Sequence, residues 1–335
     1  MNSLRSLPWL AAVAGIAGLA LASACGGDDD AKPAATTAPA SVSASSATTA
    51  AAKSVYPLKV TDLLGREVEI KAKPAVIVAL SPTAVEYVYA VGGTVAGRSA
   101  SADFPPEAKS SKEVGTAYQP SFEAILALKP DLVVADSIIH AQPDVRKGLE
   151  GLGVPVIFAG ADSYQKVLDG VALLGKVLDA NDKATQVTVA ITKARDDAKA
   201  AIGASKVSAV ALIAGRDQTL YSAKATSYAG DILHQLGITN PAANGPESGP
   251  GFPGYTTLAP ESLIQYNPDI IFTITPGPAS VPRLSSLVPS IPPFKGLKAV
   301  ASNRVVELDV DLFIQAPGPR IVDAFAAIAK AARAG

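Results

Sequence analysis

An α/β fold of two Rossmann-like lobes joined by a long, stiff helix is what this sequence predicts, on three observations. One cassette occurs twice: Glu123 followed by Pro130-Asp131 and an apolar run, then Glu261 followed by Pro268-Asp269 and an apolar run. Around both copies, short apolar runs alternate with helical patterns, the sequence form of βαβ units. Between them, Ser163 to Ile202 keeps a helical pattern with no strand signal. Two such lobes enclose a cleft, and a cleft of that kind suits holding a ligand.

The N-terminus reads as an export signal over residues 1–24. Arg5 supplies the positive region, Leu7 to Leu21 is apolar apart from Pro8 and small residues, and Leu21-Ala22-Ser23-Ala24 places small side chains before Cys25. Cys25 is the only cysteine, so it has no partner within the chain, and its position suggests lipidation rather than a disulfide. Ala22 stands where a lipoprotein signal usually has Leu. The apolar run is short and closely followed by Asp28-Asp29-Asp30, which disfavours a membrane span. Residues 25–54 are mostly Ala, Ser, Thr and Pro and read as a disordered tether, with an end-to-end reach of roughly 25 to 30 Å.

The first lobe is expected over 55–162. Val60 to Ile70 predicts a hairpin turning at Gly65, and Ala75 to Leu80 a buried strand. Ser81 caps the following helix, Pro82 suits its first position, Val85, Val88 and Val91 share a face, and Gly92-Gly93 ends it. Leu132 to Ala135 and Val154 to Phe158 are further strands, with a helix from about Pro143 to Leu152 between them. Linking helices fill 163–204, broken near Ala180-Asn181-Asp182, where Asp182 is the expected cap of the second. The second lobe, 205–335, is expected to mirror the first. Its elements are a strand at Val207 to Ile213, a helix at Ser227 to Leu236, strands at Ile270 to Ile274 and Val305 to Leu308, and a closing helix from Pro319 to Ala332.

Composition excludes several functions. A net charge of -1 and a pI near 6.2 leave no basic footprint for nucleic acid. Gly170 to Val177 nearly spells a phosphate-binding loop, but Val177 replaces the hydroxyl residue and the stretch is helical. No Gly-x-Ser-x-Gly or His-Glu-x-x-His motif occurs and no Gly-x-Gly-x-x-Gly follows the first strand, so the chain is read as a non-enzyme with no catalytic residue. With only His140 and His234, a bare-metal site is disfavoured, and His234 falls inside a helix.

The order Asp62-Leu-Leu-Gly65-Arg66, Ser81-Pro82-Thr-Ala-Val-Glu86, Val114-Gly115, Glu123 to Pro130-Asp131, Tyr228-Ala-Gly230-Asp231, Leu236-Gly237, Asn240, and Glu261 to Pro268-Asp269 resembles the periplasmic-binding-protein family. That family serves ABC importers of ferric siderophores, haem and cobalamin, and the resemblance covers nearly the whole mature chain. It implies the bilobal class III architecture, with little domain closure. It implies a monomeric receptor, lipid-anchored on the outer face of the cytoplasmic membrane, that hands cargo to a permease and its ATPase. In the family one acidic residue near the tip of each lobe docks on permease arginines, and Glu123 and Glu261 match those positions. A second role stays open for both, since a glutamate in a first helical turn also opposes the helix dipole.

Cargo-binding residues are expected in loops at the cleft-facing strand ends. In the first lobe these are Ser81, Pro82, Thr83, Tyr118, Gln119, Ser137 and His140; in the second, Arg216, Tyr221, Tyr228, Phe252, Tyr255, Asp311 and Phe313. Tyrosine offers flat apolar area with a polar tip, suited to a chelate or macrocycle. No cofactor of the protein's own is expected. An anionic ferric chelate needs cations, for which Arg98, Arg216, Lys224, Arg283 and Arg320 are available. Haem needs an axial ligand such as His140, Tyr118, Tyr221 or Tyr228, and cobalamin needs aromatic contact and hydrogen bonds. The family's frequency favours a ferric siderophore; haem and cobalamin stay open, as does an exported enzyme on a chelatase-like bilobal scaffold.

Overall fold

The computed structural model describes residues 54–204, 206–215, 219–249, 253–278 and 280–333. The leader, the tether apart from Ser54, Cys25, Arg216 and Phe252 lie outside the described residues. None of the described helices is long and apolar enough to cross a membrane.

The chain opens with a hairpin, β1 (Leu58–Thr61) and β2 (Glu67–Ile70), whose turn carries Gly65 at φ 80, a conformation glycine adopts at no steric cost. The first lobe then runs β3 (Ile77–Ala79), α1 (Pro82–Ala90), β4 (Gly97–Arg98), β5 (Lys112–Glu113), α2 (Phe122–Ala127), β6 (Leu132–Ala135), α3 (Pro143–Glu150) and β7 (Val156–Phe158). Its five strands form a parallel sheet in the order β5-β4-β3-β6-β7.

Two helices follow, α4 (Tyr164–Val177) and α5 (Asn181–Ile202). The break falls where it was expected, but the cap differs: Ala180 holds the N-cap position and Asp182 lies inside the first turn of α5. There its charge faces the helix dipole rather than bonding a backbone N–H. At about 1.5 Å per residue, the 22 residues of α5 make a rod roughly 33 Å long.

The second lobe contains β8 (Ala209–Ala214), β9 (Leu220–Ala223), α6 (Tyr228–Gln235), β10 (Tyr255–Thr257), α7 (Pro260–Tyr266), β11 (Ile270–Ile274), α8 (Leu284–Leu287), α9 (Lys298–Ala301), β12 (Val305–Leu308) and α10 (Ile321–Arg333). Its sheet, β10-β9-β8-β11-β12, repeats the first lobe's order of third, second, first, fourth and fifth strand. The mirror is incomplete. β9 runs antiparallel to both neighbours; too few residues separate it from β8 for a crossover of the kind the first lobe makes through α1.

Alternation along the central strands organises the interior. Ile77 and Ala79 of β3, Ala209, Ala211 and Ile213 of β8, and Ile270, Phe272 and Ile274 of β11 join one core that also takes in α4, α5 and α10. Their neighbours Val78 and Leu80 face a separate core in the first lobe, and Val210, Leu212 and Ile271 another in the second. Successive side chains point to opposite faces of a strand, so each sheet is covered on both sides. The shared core, running through the linking helices, ties the lobes together. Tyr164 at the start of α4 adds to it: its backbone N–H donates to Asp231 Oδ2 on α6 at 2.6 Å, and its ring meets Phe325 of α10 at 6.0 Å.

Candidate functional site: an interlobe pocket and two lobe tips

The repeated cassette has a structural cause that its pattern did not reveal. In the first lobe Asp131 Oδ2 accepts the backbone N–H groups of Ala75 (3.0 Å) and Val76 (2.9 Å), fixing the entry to β3. In the second, Asp269 Oδ2 accepts the Ser208 N–H (2.9 Å) and hydroxyl (2.8 Å), fixing the entry to β8. Each helix before the cassette's proline stops on a left-handed residue, Lys129 at φ 50 and Asn267 at φ 38. Burial of Asp269 pushes its carboxyl up, but the Ser208 bonds and the charges of Lys298 and Arg304 outweigh this and hold it below the usual range.

Glu123 and Glu261 stand at equivalent places, in the first turns of α2 and α7, and both are exposed. Neither makes an ion pair with another described residue. In α2 the Ser121 side chain caps the helix by accepting the Ala124 N–H at 3.2 Å. Two free carboxylates at matching positions can orient a basic partner.

A pocket of about 190 Å³ lies between the lobes, with Pro82, Glu86, Ser101, Asp103 and Phe104 on one side and Asp311, Gln315, Ala316 and Arg320 on the other. Arg320 crosses from the second lobe to the first. Its Nε (2.8 Å) and one terminal nitrogen (2.5 Å) donate to Glu86 Oε1, and its guanidinium carbon lies 4.3 Å from the centre of the Phe104 ring. Glu86 is buried, and its second oxygen has no hydrogen-bond partner. Burial pushes its carboxyl up to about 7 against the opposing pull of Arg320, with Asp311 and Asp323 adding to the rise. Gly318 covers this spot closely: a Cβ there would sit 3.6 Å from Thr83 Cγ2 and 3.9 Å from Glu86 Oε2.

The predicted binding residues divide. Tyr118 (76% exposed), Gln119 and Asp311 are exposed at strand exits, and Pro82 and Asp311 line the pocket. Ser137 and Tyr221 are half-buried. Ser81 is buried: its hydroxyl accepts the Ala84 N–H as the cap of α1 and donates to Asp136 Oδ2 at 3.3 Å. The start of α1 is therefore closed by its own cap, where free backbone donors were expected. Thr83, Tyr228, Tyr255 and Phe313 are also buried; Tyr255 sits on β10, and burial pushes its hydroxyl up to about 12. His140 is fully enclosed, with Nδ1 accepting the Asp136 N–H (2.8 Å) and Nε2–H donating to the Ala117 carbonyl (2.6 Å). With both nitrogens engaged, it has no lone pair for an axial bond.

Of the cations expected to meet an anionic chelate, the four among the described residues are engaged as well. Arg98 pairs with Glu113 at 3.2 Å, Lys224 with Glu247 at 2.5 Å and Arg320 with Glu86, while Arg283 donates to the Thr275 carbonyl at 3.3 Å. Phe104, Asp103, Glu86 and Gln315 were not among the predicted binding residues. Glu86 carried a usable signal, a charged residue between Val85 and Tyr87 in an otherwise apolar helix, which burial must pair. Phe104 and Gln315 carried none, because loops with no periodicity set their places. Among the described residues no cluster of His, Cys, Asp and Glu could hold a metal ion.

Comparison with known proteins fits this geometry. A family model described as periplasmic binding protein matches residues 77–312. The uncharacterised ABC transporter substrate-binding lipoprotein YvrC of Bacillus subtilis is 26% identical over 276 residues, 80% of this chain and 83% of that protein. The vitamin B12-binding protein of Salmonella choleraesuis is 36% identical over 134 residues, 40% of this chain and half of that protein. A crystal structure of an ABC transporter substrate-binding protein from Listeria monocytogenes superposes with a TM-score of 0.66 at 25% identity, covering 77% of this chain and 98% of that one. The paired sheets, the linking helices and the match over 77–312 together place this chain in the periplasmic binding protein family, among the substrate-binding proteins of ABC importers for siderophores, haem and cobalamin.

Proposed function

We propose that the chain is a lipid-anchored receptor that holds an uncharged or cationic metal chelate, a corrinoid, between its lobes and delivers it to an ABC permease, without catalysing a reaction. The observation that carries the reading is electrostatic. The four described cations weighed for an anionic ferric chelate are bonded within the protein, and among the residues lining the interlobe pocket Glu86, Asp103 and Asp311 are acidic and Arg320 is the one cation, with Arg98 and Lys109 behind Asp103 at 3.7 Å. An anionic cargo entering there would meet the exposed Asp311 carboxylate and no lining cation free of a carboxylate partner. A corrinoid, with amide groups around its rim, needs no such cation. Tyr118, Phe104 and Ile138, exposed on the first lobe, supply apolar area for a flat ring, and the likeness to the Salmonella vitamin B12-binding protein points the same way. The export-signal pattern and the position of Cys25 support anchoring on the outer face of the cytoplasmic membrane, and Glu123 and Glu261 are the proposed docking carboxylates.

The test is a set of titrations of the mature protein with cyanocobalamin, haemin and ferric citrate, followed by absorbance and calorimetry. Saturable binding of cyanocobalamin is expected, with ferric citrate bound at least ten-fold more weakly. Tight binding of ferric citrate with no response to cyanocobalamin would overturn the charge argument.

A further inference from the structure

The second lobe carries a cavity apart from the interlobe pocket. It is a chamber of about 980 Å³, and its walls are almost wholly apolar: Leu220, Leu258, Val281, Leu284, Leu287 and Ile291 face it, together with several prolines. Among the described residues that line it there is no charged side chain, and the polar ones are hydroxyl residues, among them Thr257, Thr275 and Ser290. Val281 (38% exposed) and Leu287 (47% exposed) present apolar surface to solvent at its wall. A concave apolar surface of this size, in the range of known ligand pockets, marks a binding site more often than a packing fault.

Strand register places the chamber beside the cleft. Ile213 of β8 pairs with Ile274 of β11, which pairs with Leu308 of β12, so Ala214, Thr275 and Asp309 leave the sheet side by side at one edge. Ala214 and Thr275 line the chamber, and the segment begun by Asp309 supplies Asp311 and Gln315 to the interlobe pocket. Neighbouring strands lie about 4.8 Å apart, so the two cavities start from exits no more than roughly 10 Å from each other.

We infer that this chamber is a separate apolar subsite that takes a hydrocarbon chain, carried as an arm of the cargo or presented alone. The wall chemistry selects the occupant. A macrocycle bearing amides or carboxylates needs donors and acceptors around its rim, which hydroxyls at scattered points do not supply, whereas a chain needs only apolar contact. The inference goes beyond the corrinoid reading and does not depend on it.

The experiment titrates the mature protein with 11-(dansylamino)undecanoate, whose emission brightens and shifts to the blue on entering an apolar site, and in parallel with cyanocobalamin. Wild type should bind the dansyl probe saturably. The double variant Val281→Glu with Leu287→Glu, which places charges at two exposed wall positions, should weaken the probe at least ten-fold and leave the circular-dichroism spectrum and melting temperature unchanged. Absence of saturable probe binding in wild type, or equal binding in the folded variant, overturns the subsite. Failure of cyanocobalamin to bind either protein sinks the corrinoid reading and leaves the probe result standing.

Discussion

Arg320 of the second lobe and Glu86 of the first form a buried interlobe ion pair in which both donating nitrogens fall on a single carboxylate oxygen. The other oxygen is buried without a partner. Such a pair fixes how the lobes meet more than it stabilises them, because taking the charges out of water offsets much of their attraction. Removing one member alone is another matter. Arg320→Met leaves the Glu86 carboxylate enclosed and unpaired and is expected to destabilise the protein by about 3 kcal/mol near pH 8, the low end for a buried pair because Arg320 keeps some solvent contact. Denaturant unfolding of the variant checks this, and a change under about 1 kcal/mol would show that the pair carries no buried charge.

Glu86→Gln should behave in the opposite way. The carboxyl is raised from 4.5 to about 7 by burial, so the folded state favours its protonated form. A raised carboxylate contributes stability that is complete below its unfolded value, near 4.5, and lost as pH climbs through 7. Wild type should therefore lose on the order of 2 to 3 kcal/mol relative to Glu86→Gln between about pH 5 and pH 8. Parallel stability profiles for the two proteins would refute the raised value.

The cassette aspartates act separately in their own lobes. Asp131→Ala leaves two backbone N–H groups at the entry to β3 without an acceptor, and Asp269→Ala does the same to the Ser208 N–H and hydroxyl at β8. Both sites keep solvent contact, so each substitution should destabilise by only about 1 kcal/mol, and the two effects should sum within roughly 0.5 kcal/mol. Clear non-additivity would mean that the two strand entries are energetically coupled through the shared core.

Glu123→Arg combined with Glu261→Arg addresses the docking tips. Both carboxylates are exposed, so stability should move by no more than about 0.5 kcal/mol per site, while cargo uptake through the permease collapses. Unchanged uptake by the folded variant would reduce the two glutamates to their role in opposing the helix dipoles.

What was legible in the chain, and what was not, follows from periodicity. Leu132–Ala135, Ile270–Ile274 and Val305–Leu308 occupy the residues their apolar runs indicated, because buried strands declare themselves by composition. Ser81 and Pro82 marked the start of α1 by capping chemistry that acts within three residues. β4 and β5, two residues each, were illegible because tertiary pairing alone makes them strands. β9 was hidden by the expectation that the second lobe copied the first. At the site, residue types were easier to read than their surroundings. Ser81, Thr83, Tyr228 and His140 are at strand exits or helix starts, as their spacing indicated, yet all four are buried, since contacts from elements distant in sequence decide which side of a loop faces the cleft. Glu86 and Arg320, 234 positions apart, could be joined only by the fold.

His140 offers a last prediction, on the loop that presents Tyr118. The imidazole is neutral in the folded state because burial pushes its pKa down, against the opposing influence of the Asp136 charge and the Ala117 bond. Its tautomer is set by its partners: Nε2 carries the hydrogen that the Ala117 carbonyl accepts, and Nδ1 must stay bare to receive the Asp136 N–H. A histidine with a lowered folded pKa contributes stability that is present above its unfolded value of 6.5 and is lost as pH falls below it. Protonation would put a hydrogen on Nδ1 against the Asp136 N–H and release Ala117, the neighbour of the exposed Tyr118 ring. Amide hydrogen exchange of residues 115–121 should therefore accelerate on acidification from pH 7 to pH 5 ahead of global unfolding, once corrected for the intrinsic pH dependence of exchange. His140→Phe, which leaves a buried donor and a buried acceptor unpaired at about 1 to 3 kcal/mol each, should show the faster exchange already at pH 7. If the loop instead keeps the same protection in His140→Phe as in wild type, the imidazole is packing and does not hold the Tyr118 loop in place.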